Sequence, residues 1–243
     1  LKKIVVYLCE WLCIKYADVV ITVSDSIAQE YQRIYGLEKP IVMMNSLPDK
    51  PTPVSSKLKD EFKIKENEKL FLFQGGFTAG RGILTMLEAF KRLGAPYHLV
   101  MMGYGPHIND VERYVANCGN IHFLAAVPPQ EVINYTASAD AGIIFYENTC
   151  LNHYYCMPNK LFEYTAAGIP VLGSPLFELT RTIYKSDIGV VAGGYDLEDF
   201  IDAVKQIKPK NEYVLKLEEA KTGYNWENQI GKLDERLKSM KVY

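Results

Sequence analysis

Short apolar runs alternate with helical patterns along most of this chain of 243 residues. Apolar runs of strand length lie near residues 19–23, 70–74, 97–102, 121–124, 141–145, 170–173 and 189–192. The intervals carry apolar residues three and four positions apart, which is the periodicity of a helix. This alternation predicts an α/β fold with a parallel sheet flanked by helices and a ligand crevice beyond the carboxyl ends of the strands. The residues that follow the strands should converge there: Gly75, Gly103, Val127, Tyr146 and Ser174.

A glycine-rich loop at residues 75–82 follows one of these apolar runs and precedes a helical pattern that begins at Ile83. Glycines let the backbone approach a ligand closely, and the start of the next helix favours anions, so a diphosphate is the predicted ligand. Arg81, at the loop exit, would add a forked and permanently charged donor. A tight turn without a ligand is the alternative for such a loop.

The segment at residues 158–172 predicts a short helix that stops at a glycine and enters a buried strand. Asn159 is expected to cap the helix N-terminus, and Gly168 to end the helix in the left-handed conformation. Pro170 would open the strand at a position where no backbone donor is required.

Lys160, Glu163 and Tyr164 fall at i, i+3 and i+4 of that helix, so they share one face near the positive end of the helix dipole. A cation, amide donors and an acceptor of sugar hydroxyls at one helix start suit a ligand that carries both phosphate and ribose. The alternative is an exposed salt bridge between Lys160 and Glu163, a common pairing on helix surfaces.

Four groups of residues occur in an order and at a spacing that together point to one family. They are residues 74–76 with 80–82, residues 103–106, residues 139–142, and residues 158–164 with 168–171. The chain resembles, over most of its length, the C-terminal half of GT-B glycosyltransferases of family GT4. Residues 16–24 are similar to the last strand region of that family's N-terminal domain, and residues 41–48 to the interdomain crossing.

The resemblance implies a Rossmann-like domain that binds a nucleotide sugar, with a remnant of the N-terminal domain before it. The expected divisions are 1–47 for the remnant and crossing, 48–222 for the donor-binding domain, and 223–243 for a C-terminal helix. The family's terminal helix crosses back toward the other domain. Its apolar stripe here is expected to pack as core and consists of Trp226, Ile230, Leu233, Leu237 and Met240. Residues 1–17 lack a glycine-rich first strand, so the chain is expected to be part of a longer enzyme.

The same resemblance assigns roles to individual residues. Arg81 takes the place of the basic residue that touches the donor diphosphate, and Lys160 is a second phosphate ligand, so both are the candidate catalytic residues. Glu163 takes the place of the carboxylate that holds the ribose hydroxyls, and the Val127 backbone the place that receives the nucleobase. The remaining predicted donor-binding residues are Gly75, Gly76, Gly82, Gly103, Tyr155 and Asn159.

Two positions depart from the family pattern. Gly76 stands where many members carry an arginine, and Tyr155 stands where the first of two paired glutamates falls. Lys160 can compensate for the missing arginine, whereas the change at Tyr155 removes the glutamate that would contact the transferred sugar. These substitutions motivate a second hypothesis, a non-catalytic nucleotide-sugar-binding domain, and a sugar-nucleotide epimerase of the same fold is a third.

The implied reaction is transfer of a sugar, with retention of anomeric configuration, from a nucleoside-diphosphate donor to a hydroxyl acceptor in glycan or polysaccharide biosynthesis. Arg81, Lys160 and the amides of Gly76 and Gly82 would stabilise the departing diphosphate, a role that a metal ion fills elsewhere. The sequence contains no Asp-x-Asp motif. Metal independence is therefore expected, and the nucleotide sugar is a substrate with no cofactor besides it.

Composition is consistent with these expectations. The 48% hydrophobic content can supply a full core, and the balance of 27 basic and 29 acidic residues gives no reason to expect nucleic acid. Five scattered cysteines suggest a reducing compartment, so the cytoplasm is predicted. The resemblance implies a glycan, a lipid-linked sugar or another hydroxyl compound as the acceptor. It also implies that the full-length enzyme can associate peripherally with the inner face of the membrane. No run approaches the roughly 18 apolar residues of a membrane span.

Two segments carry a minor alternative each. Residues 4–14 are apolar but lack a small-residue cleavage site, so they are expected to form an amphipathic helix of a folded domain rather than a signal peptide. Cys150, His153 and Cys156 are evenly spaced soft ligands without a fourth, so a loop over the donor pocket is favoured over a metal site.

Overall fold

The computed structural model describes residues 2–239 and contains two parallel sheets. Two short strands, β1 (Ile21–Thr22) and β2 (Ile41–Val42), pair with each other apart from the main sheet. The main sheet has six strands: β3 (Lys69–Gly76), β4 (Tyr97–Tyr104), β5 (Ile121–Ala125), β6 (Ala141–Ile144), β7 (Val171–Gly173) and β8 (Gly189–Val191). All its strands are parallel, as the sequence predicts, and each predicted strand lies within a few residues of an observed one.

Helices fill the intervals between the strands and cover both faces of the main sheet. Those before β4 are α1 (Lys2–Lys15), α2 (Asp25–Tyr35), α3 (Lys57–Phe62) and α4 (Ile83–Leu93). The middle of the chain forms α5 (Ile108–Asn117), α6 (Pro129–Thr136), α7 (Leu151–Tyr155) and α8 (Asn159–Ala166). The last are α9 (Phe177–Ser186), α10 (Leu197–Gln206), α11 (Val214–Gly223) and α12 (Trp226–Ser239), with a 3₁₀ turn at Lys210–Glu212.

Strand β3 is apolar on both faces because both faces are covered. Leu70 and Leu72 join the cluster formed with α8, α9 and α11, while Phe71 and Phe73 join the cluster formed with α4, α5 and α10. All four side chains are fully buried. The two-residue period of a strand therefore sends alternate side chains into two separate cores.

The strand order of the main sheet is β5-β4-β3-β6-β7-β8. The chain runs outward from β3 to one edge, returns to the centre at β6 and then runs to the other edge. The point where the order reverses lies between β3 and β6, and ligands of open α/β sheets bind outside the carboxyl ends of the strands at such a point. The loop at residues 77–82 follows β3, and Tyr146 follows β6.

Two glycines lie at the ends of helices that border this edge, and Gly168 takes the left-handed conformation that the sequence predicts. Gly82 precedes α4 in the left-handed conformation with φ of 59°, and a Cβ there would lie 2.5 Å from Cδ1 of Phe145. Gly168 follows α8 with φ of 69°. Asn159, in contrast, does not cap α8: Pro158 occupies the N-cap position and Asn159 is the first helical residue. The extended backbone of Pro158, with ψ of 139°, lies outside the helical region, so the helix begins at Asn159 itself, one residue earlier than predicted.

Helix α1 forms where a helix is expected, but it is not an amphipathic helix with its apolar face buried. Ile4, Val6 and Leu8 are 63%, 63% and 51% exposed. Apolar residues lie on every side of the helix, so one contact surface cannot cover them all. Its contacts with α2 include a hydrogen bond from Tyr31 Oη to Glu10 Oε1 at 3.1 Å. No helix within residues 2–239 combines the length and the hydropathy that a membrane crossing requires.

Helix α12 contacts the first part of the chain, but its predicted apolar stripe is not core. Trp226 and Ile230 are 40% and 41% exposed, and Met240 lies outside the described residues. The buried side chain is Gln229, whose Oε1 accepts a hydrogen bond from Met44 N at 3.2 Å. Polar contacts, rather than an apolar seam, hold α12 against residues 38–49.

Candidate functional site

A cavity of about 490 Å³ lies at the carboxyl edge of the main sheet, where the strand order reverses. Strands β3 and β4 contribute Gly75 and Gly103, and the segment after β5 contributes Val127. The loop before α4 contributes Arg81, and the first turn of α8 contributes Lys160. The cavity thus unites residues from five separate elements, as the convergence of strand ends predicts.

Arg81 and Lys160 meet at the hydroxyl of Tyr146. Lys160 Nζ donates a hydrogen bond to Tyr146 Oη at 3.1 Å, and Arg81 Nη1 donates to the same oxygen. The Arg81 guanidinium also lies over the Tyr146 ring, 4.4 Å from its centroid, and Arg81 Nε donates to Thr78 Oγ1 at 3.1 Å. Two cations therefore share one phenol at the cavity wall.

Lys160 is buried, with 8% of its surface exposed. Burial and, to a smaller extent, the neighbouring positive charge of Arg81 together lower the pKa of Lys160 from 10.5 to about 8. A lysine held this way favours an anion, because a bound negative charge would restore the stability of the ammonium form. A negatively charged ligand would therefore stabilise the positive charges of the cavity wall.

Glu163 lies on the same helix as Lys160, yet the two side chains take different partners. Gln74 Nε2 donates to Glu163 Oε2 at 2.5 Å, and Thr136 Oγ1 donates to Gln74 Oε1 at 2.8 Å. Gln74 is 3% exposed, so this chain of hydrogen bonds fixes the carboxylate from inside the protein. The alternative of an exposed Lys160–Glu163 salt bridge is wrong.

Tyr164, the third residue of the predicted face, is structural. It is fully buried, and its hydroxyl donates to Ile143 O at 3.1 Å and Leu72 O at 3.3 Å. An i+4 spacing places two Cα atoms on the same side of a helix, but a ring as long as tyrosine reaches the sheet beneath. Only Lys160 and Glu163 of that face line the cavity.

Backbone and apolar groups form other parts of the wall. Gly75 and Gly103 pair across β3 and β4, and a Cβ on Gly103 would overlap the carbonyl oxygen of Gly75. Gly75 has a φ of 110°, which favours glycine, and a Cβ there would lie 3.0 Å from Lys160 Nζ. Val127 lines the cavity with Met102 and offers an uncharged surface.

Three predicted binding residues do not line this cavity: Gly76, Gly82 and Tyr155. Gly82 is packed under Phe145, which explains the glycine by steric fit. The Tyr155 ring packs edge-on against Phe177, with 6.0 Å between centroids, and its carbonyl oxygen accepts from Ser24 Oγ at 2.7 Å. Asn159 does line the cavity, and its Oδ1 accepts from Asn45 Nδ2 at 3.3 Å.

The segment with Cys150, His153 and Cys156 forms helix α7 where a loop was predicted, and it borders the cavity through His153 and Cys156. His153 Nδ1 lies 2.9 Å from Glu147 O, and burial raises the pKa of Cys156 to about 11. No group of three or more histidine, cysteine or acidic side chains within residues 2–239 has the geometry to hold a metal ion.

Sequence reasoning missed the roles of Gln74 and Tyr146. Each is the polar residue at the end of an otherwise apolar strand region, and Tyr146 was predicted only to lie near the crevice. Polar residues that end buried parallel strands were the available signal, since that edge holds the ligands of such sheets. Which atoms they contact depends on residues 14 to 89 positions distant in sequence.

The cavity combines three chemistries that one type of ligand requires together. Arg81 and Lys160 offer positive charge, the fixed carboxylate of Glu163 can accept hydrogen bonds from a diol, and the wall at Val127 and Met102 can receive a flat apolar ring. A nucleotide carries phosphate, ribose and base in this way. The fold and the cavity together define an α/β domain with a cavity at its switch point whose chemistry matches that of a nucleotide.

The chain belongs to the glycosyl transferases group 1 family, whose family model matches residues 54–223. That range contains all the cavity residues discussed above. A comparison with curated proteins found no significant match to this chain.

Solved GT-B glycosyltransferases share the fold. Sucrose-phosphate synthase from Thermosynechococcus elongatus superimposes with a TM-score of 0.76 at 19% identity, over 96% of this chain and 61% of that one. Anabaena HepE in complex with UDP superimposes with a TM-score of 0.74 at 13% identity, over 93% of this chain and 65% of that one. WaaG, a glycosyltransferase involved in lipopolysaccharide biosynthesis, superimposes with a TM-score of 0.63 at 18% identity, over 84% of this chain and 57% of that one. The chain therefore spans less than two thirds of each of these structures.

Proposed function

We propose that this chain is the donor-binding half of a GT4-type retaining glycosyltransferase that transfers a hexose from a nucleoside-diphosphate sugar to an acceptor hydroxyl. The carrying observation is the arrangement of Arg81, Lys160 and Glu163 around one cavity at the sheet switch point. HepE structures with UDP and with UDP-glucose make a uridine diphosphate sugar the first donor to test.

Cleavage of the anomeric bond leaves negative charge on the diphosphate and positive charge on an oxocarbenium-like ring. Arg81 and Lys160 would meet the developing negative charge from positions fixed before the reaction, which is the condition for effective electrostatic stabilisation. Glu163 would hold the ribose at a set distance from the reacting centre. The acceptor would bind outside the described domain, on the N-terminal half of a complete GT-B enzyme.

The acceptor is proposed to be a glycan, a lipid-linked sugar or another hydroxyl compound of polysaccharide biosynthesis. Such an enzyme would work in the cytoplasm and can associate peripherally with the inner membrane face. The chain alone is expected to bind the donor nucleotide without transferring sugar. Transfer to an acceptor by residues 1–243 alone would contradict the assignment of acceptor binding to the N-terminal half.

The test of the donor site is calorimetry with UDP, GDP and ADP on wild type and Glu163→Ala. A hydrogen bond to a charged group contributes about 1.5 to 3 kcal/mol, so the variant should bind the preferred diphosphate at least about tenfold more weakly. Glu219→Ala, which removes an exposed carboxylate of α11, should bind like wild type. Equal affinity in folded Glu163→Ala would exclude the ribose role.

A further inference from the structure

Tyr146 occupies the centre of the cationic wall, and its main chain is fixed. The residue is 6% exposed and follows the end of β6. Its backbone N–H donates to Ser174 Oγ at 3.1 Å, and Ser174 is fully buried beyond β7. The phenol therefore extends from the end of β6, at a backbone position that is tied to the segment after β7.

The hydroxyl oxygen of Tyr146 accepts hydrogen bonds from both Lys160 Nζ and Arg81 Nη1. The ring adds a second attraction, since the Arg81 guanidinium lies 4.4 Å and Lys160 Nζ 5.5 Å from its centroid. Without a ligand, two neighbouring cations repel each other. A phenol that accepts from both offsets part of this repulsion and keeps both side chains on one wall.

A phenol that accepts two hydrogen bonds still has its own proton to donate. Within residues 2–239, no side chain or carbonyl group is placed to accept that proton. Tyr146 lines the cavity, so an anion in the cavity can accept it. Burial raises the pKa of Tyr146, so the phenol keeps its proton at neutral pH. The two cations also polarise the O–H bond and make it a better donor.

We propose that Tyr146 is a third phosphate-binding group of this site, which positions Arg81 and Lys160 and donates its hydroxyl proton to an oxygen of the donor's diphosphate. The inference rests on the proposed donor-binding function and extends it to a residue outside the charged pair. No proton is transferred; the phenol changes from an acceptor for two cations to an acceptor that also donates to the anion between them.

Tyr146→Phe tests the hydroxyl while it keeps the ring over both cations. The measurement is the affinity of residues 1–243 for the preferred nucleoside diphosphate and, by competition, for the matching nucleoside without phosphate. The variant should bind the diphosphate about tenfold more weakly and the nucleoside within about twofold of wild type. Tyr114→Phe is the matched control, because Tyr114 Oη donates to Glu88 Oε2 at 2.9 Å away from the cavity.

The double variant Arg81→Ala/Tyr146→Phe provides a second measurement. If the hydroxyl acts together with Arg81, its removal in the Arg81→Ala background should cost less than about threefold. An equal loss for diphosphate and nucleoside, or an unchanged diphosphate affinity in Tyr146→Phe, would overturn the inference and leave the donor site intact. Failure of the wild-type chain to bind any of the three diphosphates would overturn both the inference and the proposed function.

Discussion

At the scale of single residues, Lys160 links the geometry of the site to its dependence on pH. It is buried beside Arg81 and its pKa falls to about 8, whereas an exposed lysine stays charged well above that value. Its charge is therefore half lost near pH 8 in the free protein. A bound diphosphate would return the pKa toward its usual range, because opposite charge favours the ammonium form.

Diphosphate affinity should therefore fall as the pH rises through 8. Between pH 7 and pH 9 the loss should be about tenfold, since the free protein then binds one proton fewer than the complex. Titration of the ligand does not contribute to this change in affinity, because the second pKa of a phosphate lies at about 6. Calorimetry at several pH values measures this slope.

Lys160→Arg is the control for this pH dependence. Arginine remains charged throughout the range, so the slope above pH 8 should disappear whatever the absolute affinity of the variant. A wild-type affinity that stays constant from pH 7 to pH 9 would mean that Lys160 does not exchange its proton on binding.

At the scale of elements, strands β4 and β5 carry a histidine pair at the side of the sheet. His98 Nδ1 lies 3.1 Å from His122 Nε2, and the two rings stack with 8° between their planes. Phe62 of α3 stacks on His122 with 4.7 Å between centroids. One nitrogen of this pair donates and the other accepts, so the contact requires at least one neutral ring.

Both histidines are held neutral in the folded state. Burial, with the neighbouring ring of His98, lowers the pKa of His122 to about 4, and burial also lowers the pKa of His98 although Glu68 opposes the change. An unfolded histidine titrates near about 6.5. The unfolded chain therefore binds more protons than the folded one between pH 6.5 and pH 4, and stability is lost as the pH falls through that window.

His122→Phe should remove most of this acid sensitivity while it keeps a ring against Phe62. Between pH 7 and pH 5, wild type should lose about 1 kcal/mol more stability than the variant, a value reduced for the partial solvent exposure of the ring. That corresponds to about 2 to 4 °C in Tm for a chain of this size. If the Tm of both proteins falls by the same amount between pH 7 and pH 5, the histidine pair does not titrate as described.

At the scale of the whole molecule, residues 24–49 are held to the domain of the six-stranded sheet and to α12 by specific polar contacts. Ser24 caps α2, and the neighbouring Ser26 N–H donates to Glu178 Oε1 at 2.8 Å. Glu178 is 1% exposed and lies in the first turn of α9, and Arg181 Nη2 lies 2.9 Å from its other oxygen. A buried carboxylate at a helix N-terminus satisfies an amide and the helix dipole together.

Glu178→Ala should lower the free energy of unfolding by about 1 to 3 kcal/mol, because it leaves the buried Ser26 N–H without an acceptor. Glu178→Gln retains an oxygen and should lose less. Arg181→Ala removes a half-exposed partner and should cost less than about 1 kcal/mol. Denaturant titrations of the three variants rank these costs, and a loss for Arg181→Ala as large as that for Glu178→Ala would refute the assignment to Ser26.

Much of the fold could be predicted because its causes are local. Strands buried on both faces read as continuous apolar runs, and the helices between them read as periodic patterns. Gly168 was predicted because a helix end in the left-handed conformation favours glycine. The cations and the carboxylate of the site were predicted from their places after strands and at the start of α8, with the family resemblance adding their order.

The sequence by itself determined the parallel α/β architecture and the edge of the sheet at which Arg81, Lys160 and Glu163 line one cavity. Only the tertiary structure decided which side chains touch. It placed Lys160 against Tyr146 rather than Glu163 and packed Tyr155 against Phe177, and it left Trp226 and Ile230 of α12 exposed, as it did most apolar residues of α1. Local periodicity sets which way a residue faces, whereas its partner depends on segments far away in the chain that share no local signal with it.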